Sequence, residues 1–192
     1  MAPEKTRHTI VRKGAALIHE QGFNATGIQQ VLDAAGIPKG SFYHYFQSKE
    51  DFGSAVIDYF ATTTGELFSS YLNDKRHPPL TRLDNLFAHF EKELNKTGCA
   101  LGCPLGNLAL ELADTNDKLR GHLHEVIKNI ILQLENCLIE AKQNKSITNG
   151  LNTHDTARFL FHAFEGAIMD TKVEKSIEPY KSFRRYVSAF IQ

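Results

Sequence analysis

The stretch that decides the fold is TGIQQVLDAAGIPKGSFYHYFQSK, residues 26–49. Its first part has the spacing of an amphipathic helix, which Thr26 and Gln29 begin as a capping box. Gly36 ends that helix, because glycine takes the left-handed C-terminal cap without steric cost. Pro38 then opens a second short helix, since its fixed φ suits the first helical turn. Two short helices joined by a glycine turn predict a helix-turn-helix.

The second short helix, residues 39–46, carries an unusual set of side chains. Phe42 and Phe46 are four residues apart and are expected to bury together on one side. The remaining polar and aromatic side chains then face solvent, a composition typical of a surface that contacts phosphates and bases. The alternative is a solvated helix face on which tyrosines pack. The exposed set is Lys39, Ser41, Tyr43, His44 and Tyr45, with Lys49 just beyond.

Four colinear segments within the first 55 residues resemble the DNA-binding domain of the TetR family of transcriptional regulators. They are GFNAT at 22–26, AGI at 35–37, KGSFYHYF at 39–46 and SKE at 48–50. Pro38 stands where the family usually has serine or threonine, so one contact at the start of the second short helix differs. The resemblance implies an all-α protein with a helix-turn-helix DNA-binding domain over residues 1–50. Residues 51–192 would form a helical effector-binding and dimerisation domain.

Every periodic pattern in the chain has a helical period. Helices are expected over residues 6–21, 48–73, 80–96, from 104, over 117–142 and 153–175, and from 179. The helix over 153–175 is apolar on two sides and so needs two partners. In a chain of this size one partner is expected to be a second copy, the alternative being burial within one larger core. The resemblance implies a four-helix dimer bundle, with contacts at Phe159, Ala163, Gly166, Ala167, Phe183, Tyr186, Val187 and Phe190.

A twofold dimer presents two recognition surfaces to successive major grooves of double-stranded DNA. The expected operator is therefore a near-palindrome whose half-sites lie about one helical turn apart or somewhat more. Phosphate contacts and positioning are expected from Lys39, Tyr43, His44, Tyr45, Lys49 and Thr26. Gly40 and Ser41 are expected to permit close approach to base edges.

Residues 97–107 are rich in glycine and disfavour a helix. Their part before Pro104, residues 97–103, is called the glycine-rich segment and contains two of the three cysteines. Cys103 directly precedes Pro104, so its sulfur lies near a helix N-terminus, which favours thiolate over thiol. Cys99 is close enough to act as a resolving thiol. The alternative is that Cys103 only packs beneath the helix start. GCPLGN at 102–107 and Phe52-Gly53 resemble a TetR subgroup that answers reactive electrophiles or small unsaturated acids, in some of which a cysteine matching Cys103 is redox-sensitive.

A noncovalent small-molecule inducer is the other possibility for the second domain. Its pocket is expected among the inner helices, although each aromatic residue at helical spacing also suits plain core. The candidate lining residues are Phe60, Phe68, Tyr71, Phe87, Phe90, Phe161 and Phe164.

Composition bounds the remaining possibilities. The 192 residues carry no net charge, but residues 1–50 hold six basic and four acidic side chains, a balance that permits DNA binding. No apolar run is long enough for a membrane span, and an odd number of cysteines without a secretory signal favours the cytoplasm.

Cys137 lies on an apolar helix face and is expected in the core. No catalytic or metal-binding motif is present, and no cofactor or metal is expected. Two competing classes are a ligand-binding module without DNA activity and a thiol peroxidase using Cys99 and Cys103.

Overall fold

The computed structural model describes residues 3–147 and 150–190 of the chain. In that part of the chain it contains eight α-helices and one short 3₁₀ helix, and the predicted all-α fold is confirmed. The helices are α1 Pro3–Gln21, α2 Ile28–Ala35, the 3₁₀ helix Phe42–His44, α3 Lys49–Leu72, α4 Pro79–Lys96, α5 Pro104–Leu112, α6 Asp117–Gln143, α7 Thr153–Glu174 and α8 Glu178–Phe190. None of the described helices is both long and apolar enough to cross a membrane.

The chain divides into two compact units that are not contiguous in sequence. The first unit contains residues 1–63 and 104–126, and the second contains residues 64–103 and 127–192. Helix α5 and the start of α6 therefore pack with the helix-turn-helix rather than with the other late helices. The predicted functional division at residue 50 stays a prediction.

Helix α2 begins one residue later than predicted. Gly27 is its N-cap, and the Gly27 backbone N–H donates to Gln30 Oε1 at 2.8 Å. The predicted capping box between Thr26 and Gln29 is wrong, because the Thr26 hydroxyl donates instead to the Gly22 carbonyl at 2.6 Å. A threonine hydroxyl can bond either to a backbone N–H of the helix that it would cap or to a nearby carbonyl. Here the Thr26 hydroxyl bonds to the Gly22 carbonyl of the preceding turn.

The C-terminal cap of α2 is as predicted. Gly36 has φ +67°, in the left-handed region, and its N–H donates to the Asp33 carbonyl at 3.1 Å. The Ile37 N–H donates to the Leu32 carbonyl at 3.0 Å, which satisfies a second terminal carbonyl.

The predicted second short helix over residues 39–46 is wrong in type and length. Only Phe42–His44 is helical, as a single 3₁₀ turn. Gly40 has φ +111°, which no α-helix accommodates, and the Ser41 N–H closes a turn onto the Pro38 carbonyl at 3.1 Å. Pro38 therefore opens a turn rather than a helix.

Helix α3 starts as predicted. The Asp51 N–H donates to Ser48 Oγ at 3.1 Å, and Asp51 Oδ2 accepts from the Gln47 N–H at 2.9 Å. These two bonds satisfy donors that the first helical turn leaves open.

The second unit is built on an aromatic core. Phe164 of α7 lies at its centre, with ring centroids 4.9 Å from Phe90, 5.9 Å from Phe87 and 6.5 Å from Phe68. Tyr180 is fully buried, and its hydroxyl donates to the Phe87 carbonyl at 3.2 Å. The pairs of Phe164 with Phe90 and with Phe68 are edge-to-face, an arrangement that aromatic rings prefer.

A buried cation ties three helices of the second unit together. Arg82 is 2% exposed, and its Nη2 lies 2.6 Å from Glu140 Oε1 of α6. Its Nη1 donates to the Leu72 carbonyl at the end of α3 at 2.5 Å. These contacts pair the buried guanidinium with a carboxylate and a carbonyl, so Arg82 links α4 to α6 and to the end of α3.

Candidate functional site

The recognition segment, residues 39–46, presents its polar side chains outward. Tyr43 is 69% exposed, and Lys39, Gly40 and His44 are also exposed. Ser41 and Tyr45 are half-buried. The sequence predicts that all five side chains face solvent, which is correct for Lys39, Tyr43 and His44 and only partly correct for Ser41 and Tyr45.

Three buried rings hold the recognition segment in place. Phe42 and Phe46 are each 1% exposed, and their ring centroids lie 5.2 Å apart. Phe52 of α3 packs against them, 5.7 Å from Phe42 and 5.2 Å from Phe46. The Arg7 guanidinium lies over the Phe46 ring at 5.1 Å, so an exposed cation of α1 borders the same surface.

Lys49 is half-buried and leans toward the loop between α1 and α2. Its Nζ donates to the Asn24 carbonyl at 3.2 Å and lies 4.9 Å from the Phe23 ring centroid. Burial lowers the pKa of Lys49, while the Glu111 carboxylate acts in the opposite direction. The ammonium is thus positioned by protein groups at the edge of the recognition segment.

Thr26 does not lie on this surface. Its side chain is 1% exposed, and its hydroxyl is bonded to the Gly22 carbonyl and to Gln21 Nε2. A phosphate contact through the Thr26 hydroxyl is therefore not supported, because that hydroxyl is already satisfied inside the protein.

The glycine-rich segment has an unusual backbone. Gly98 and Gly102 have φ +62° and +76°, and two non-glycine residues, Cys99 and Leu101, have φ +58° and +65°. Each non-glycine residue in this region carries about 1 to 2 kcal/mol of backbone strain. The Cys99 side chain is 6% exposed, so its sulfur lies inside the second unit.

Cys103 is half-buried and hydrogen-bonds to Glu165 of α7. Burial raises the pKa of Glu165, and the bond from Cys103 partly lowers it. Sequence reasoning missed Glu165. The signal that could have found it is a carboxylate directly after Phe164, next to the apolar stripe of α7.

Cys137 is a core residue, as predicted. It is 3% exposed, and its Sγ donates to the Pro79 carbonyl at 3.3 Å. Burial raises the pKa of its thiol to about 11. All three cysteines are free thiols.

The predicted pocket residues lie in both units and most of them pack as core. Phe60 belongs to the first unit, and the others belong to the second. Tyr71 is half-buried and its hydroxyl bonds to His89 Nδ1 at 3.2 Å. A cleft of about 280 Å³ in the second unit is bordered by one of the predicted residues, Phe87. Its lining is Leu80, Thr81, Leu83, Asp84, Phe87, Arg184, Val187 and Ser188.

The outer face of α7 and α8 carries exposed apolar side chains. Phe159 is 51% exposed and Tyr186 is 74% exposed, as expected of interface residues in a single chain. Met169 and Val173, at 57% and 75%, extend the same face of α7 and were not predicted. Ala163 is half-buried and Gly166 is exposed, whereas the Phe190 side chain lies outside the described residues.

Three residues predicted for dimer contacts are buried within the chain instead. Ala167, Phe183 and Val187 are 8%, 7% and 6% exposed. Phe183 packs on Phe87 with ring centroids 5.0 Å apart, because the amphipathic stripe of α8 faces its own chain.

Among the described residues, no group of three or more His, Cys, Asp and Glu side chains is arranged to hold a metal ion.

Comparison with known proteins covers nearly the whole chain. A family model described as bacterial regulatory proteins, tetR family, matches residues 10–56, and one described as tetracyclin repressor-like, C-terminal domain, matches residues 79–187. The HTH-type transcriptional repressor DhaR of Mycobacterium sp. (strain GP1) is 34% identical over 95% of this chain and 90% of its own length.

Two solved structures extend this similarity to three dimensions. A regulatory protein TetR from Rhodobacter sphaeroides superimposes with a TM-score of 0.90 at 30% identity, over 96% of this chain and 98% of that chain. The reduced form of Escherichia coli NemR superimposes with a TM-score of 0.88 at 25% identity, over 98% of each chain.

Proposed function

Because this chain belongs to the TetR family of bacterial regulatory proteins, we propose that it is a transcriptional repressor. It binds a palindromic operator as a dimer and leaves the operator when a reactive electrophile or small molecule acts on the second unit. The observation that carries this proposal is the recognition segment, whose exposed Lys39, Tyr43 and His44 stand on the buried Phe42 and Phe46. The family is one of regulators and not of enzymes, and we infer a cytoplasmic location from the proposed DNA partner.

DNA binding is supported by the chemistry of the recognition segment. Lysine and histidine donors and tyrosine hydroxyls suit phosphate oxygens, and Gly40 adds no side chain between the backbone and a base edge. Ser41 and Tyr45 are half-buried at the same surface, with Lys49 and Arg7 at its border. Phosphate contacts made by these cations predict that operator affinity falls with rising salt.

Dimerisation is supported by the exposed apolar face of α7 and α8. Phe159, Met169, Val173 and Tyr186 are large apolar side chains that the single chain leaves exposed on these two helices, which supports their burial against a partner. A second copy supplies an identical face, and a twofold interface buries both. Sedimentation at micromolar concentration is expected to give a dimer, and Val173→Glu a monomer. A wild-type monomer at that concentration would contradict the dimer.

Release from the operator is assigned to Cys103. Its sulfur adds to one carbon of an electrophilic double bond, forming a C–S bond while the carbon–carbon π bond breaks. The electron pair of that π bond then takes up a proton at the second carbon, which balances the proton that the thiol loses to solvent. The half-buried position of Cys103 permits this addition, whereas the buried Cys137, with its raised pKa, is expected to react slowly.

The test starts from DNA fragments that the protein selects from genomic DNA. Operator binding is measured by gel shift before and after N-ethylmaleimide treatment of the wild type, Cys103→Ser and the control Cys137→Ala. Release is expected for the wild type and the control, and retention for Cys103→Ser. Equal release of all three would remove Cys103 from the mechanism and point to the remaining thiol, Cys99, whereas retention of all three would favour a noncovalent inducer. Selection of no DNA at all would contradict the regulator proposal.

A further inference from the structure

The loop between α1 and α2 is held by a carboxylate from a distant helix. The Phe23 N–H donates to Glu111 Oε2 at 2.8 Å, and the Asn24 N–H donates to Glu111 Oε1 at 2.7 Å. All three residues belong to the first unit, and Glu111 lies in the last turn of α5. Charge-assisted bonds from two adjacent N–H groups fix both the position and the orientation of the loop.

The same loop positions Lys49. The Asn24 carbonyl accepts from Lys49 Nζ, and the Phe23 ring lies beneath the ammonium. Lys49 begins α3 and follows the recognition segment by three residues. Glu111 thus reaches the edge of the recognition segment through two consecutive sets of contacts, first to the loop and then to Lys49.

The loop backbone is shaped to receive a carboxylate. Gly22 has φ +91°, and a Cβ placed on it would lie 3.1 Å from Glu111 Oε2. A glutamine at 111 would offer one acceptor oxygen for two donors, and its NH₂ group would face an N–H. The pair of bonds therefore depends on the carboxylate and not only on the length of the side chain.

Helix α5 connects this contact to the thiol of Cys103 along the chain. It begins at Pro104, directly after Cys103, and Glu111 is its eighth residue. At 1.5 Å per residue, the helix spans roughly 10 Å from Pro104 to Glu111 as a rigid rod. A displacement that moves α5 as a rigid body from its first residue would also move Glu111 in its last turn.

We propose that Glu111 is a positioning residue for the recognition surface and that α5 carries the signal from Cys103 to it. With Glu111 bonded to Phe23 and Asn24, the loop and Lys49 are held in the arrangement that binds DNA. Modification of Cys103 shifts α5, breaks the two bonds and releases the loop. This inference rests on the proposed function of Cys103.

The direct test is amide hydrogen exchange of Phe23 and Asn24, measured by NMR on the full-length protein. N-ethylmaleimide is expected to speed exchange at both amides about tenfold in the wild type, because an opened loop loses its acceptor. Cys103→Ser is expected to show no change. Glu111→Gln should exchange fast before treatment, whereas Asp114→Asn, which removes an exposed charge three residues away, should behave as the wild type. Unchanged exchange in fully modified wild type would overturn the inference.

A second measurement separates positioning from simple destabilisation. The ratio of operator Kd after treatment to Kd before it is expected to exceed tenfold in the wild type and Asp114→Asn, and to fall to about two or less in Glu111→Gln. A purely structural Glu111 would lower the melting temperature and leave this ratio intact, which would overturn the inference. If wild-type protein is not released from DNA at all, the proposed function fails, while the exchange measurement still decides the link from Cys103 to the loop.

Discussion

The recognition segment and the glycine-rich segment are both short and lie almost wholly outside the α-helices, yet they are ordered by opposite means. In residues 39–46 the one positive φ belongs to Gly40, and buried Phe42 anchors the turn. In residues 97–103, Cys99 and Leu101 adopt positive φ without being glycine. Burial fixes the first segment, whereas the second stores backbone strain. A segment that presents side chains to DNA is expected to be rigid, and one that answers a signal is expected to rearrange easily.

The largest expected effect concerns the recognition segment, which is the rigid one of the two. Phe42→Ala removes a fully buried ring and is expected to lower the free energy of unfolding by about 3 to 5 kcal/mol. Tyr43→Ala, at the exposed neighbouring position, should change it by less than about 0.5 kcal/mol while weakening operator binding. Urea denaturation and gel shifts measure the two quantities. Equal destabilisation by both variants would show that burial does not anchor the segment.

The next effect concerns the buried thiol of Cys137. Because burial raises the pKa of Cys137 to about 11, its folded-state pKa exceeds the unfolded value of roughly 8.5. The stability that its neutral form contributes is therefore fully present below about pH 8.5 and is lost as pH rises toward 11, a change of roughly 3 kcal/mol. Urea denaturation of the wild type minus Cys137→Ala across this range isolates the loss. A difference that does not vary with pH would contradict the buried thiol.

A smaller effect measures backbone strain in each segment. Leu101→Gly is expected to be more stable than Leu101→Ala by about 1 kcal/mol, because only glycine accepts φ +65° without strain. In the recognition segment Ser41 has φ −77°, so Ser41→Gly should be less stable than Ser41→Ala by about 0.5 to 1 kcal/mol. Thermal unfolding of the four variants gives both differences. If the difference in stability between the glycine and the alanine variant had the same sign at both positions, the two segments would not differ in backbone strain.

The smallest effect concerns individual phosphate contacts. Lys39→Ala and Lys49→Ala are each expected to reduce the slope of log K against log salt by about 0.9, and to weaken all DNA sequences alike. Gel shifts over a salt series measure both. If affinity fell for one DNA sequence only, the lysine would contact a base and not a phosphate.

The long helices could be predicted from the sequence because their ends and faces follow from local patterns. The apolar stripe of α6 and the cap of α3 at Ser48 are where periodicity and capping chemistry placed them. The recognition segment could not be predicted as a 3₁₀ turn, since its backbone is set by the packing of Phe42 and Phe46 on Phe52. Packing of rings from different elements does not produce a periodic pattern in the sequence.

The same limit explains the residues that sequence reasoning missed or misplaced. Glu111 lies 88 residues from Phe23, and a bond between a side chain and a distant backbone has no local signature. The exposed Met169 and the buried Val187 differ from expectation because amphipathic periodicity identifies an apolar stripe but not the partner that covers it.

Hydroxyl-radical footprinting of the wild-type protein on its selected operator, before and after N-ethylmaleimide treatment, tests both the duplicated recognition surface and its control by Cys103. We expect two protected regions related by a twofold axis, with centres about 34 Å apart or somewhat more, both lost after treatment. A single protected region, or two regions that persist on fully modified protein, would contradict the duplicated recognition surface or its control by Cys103.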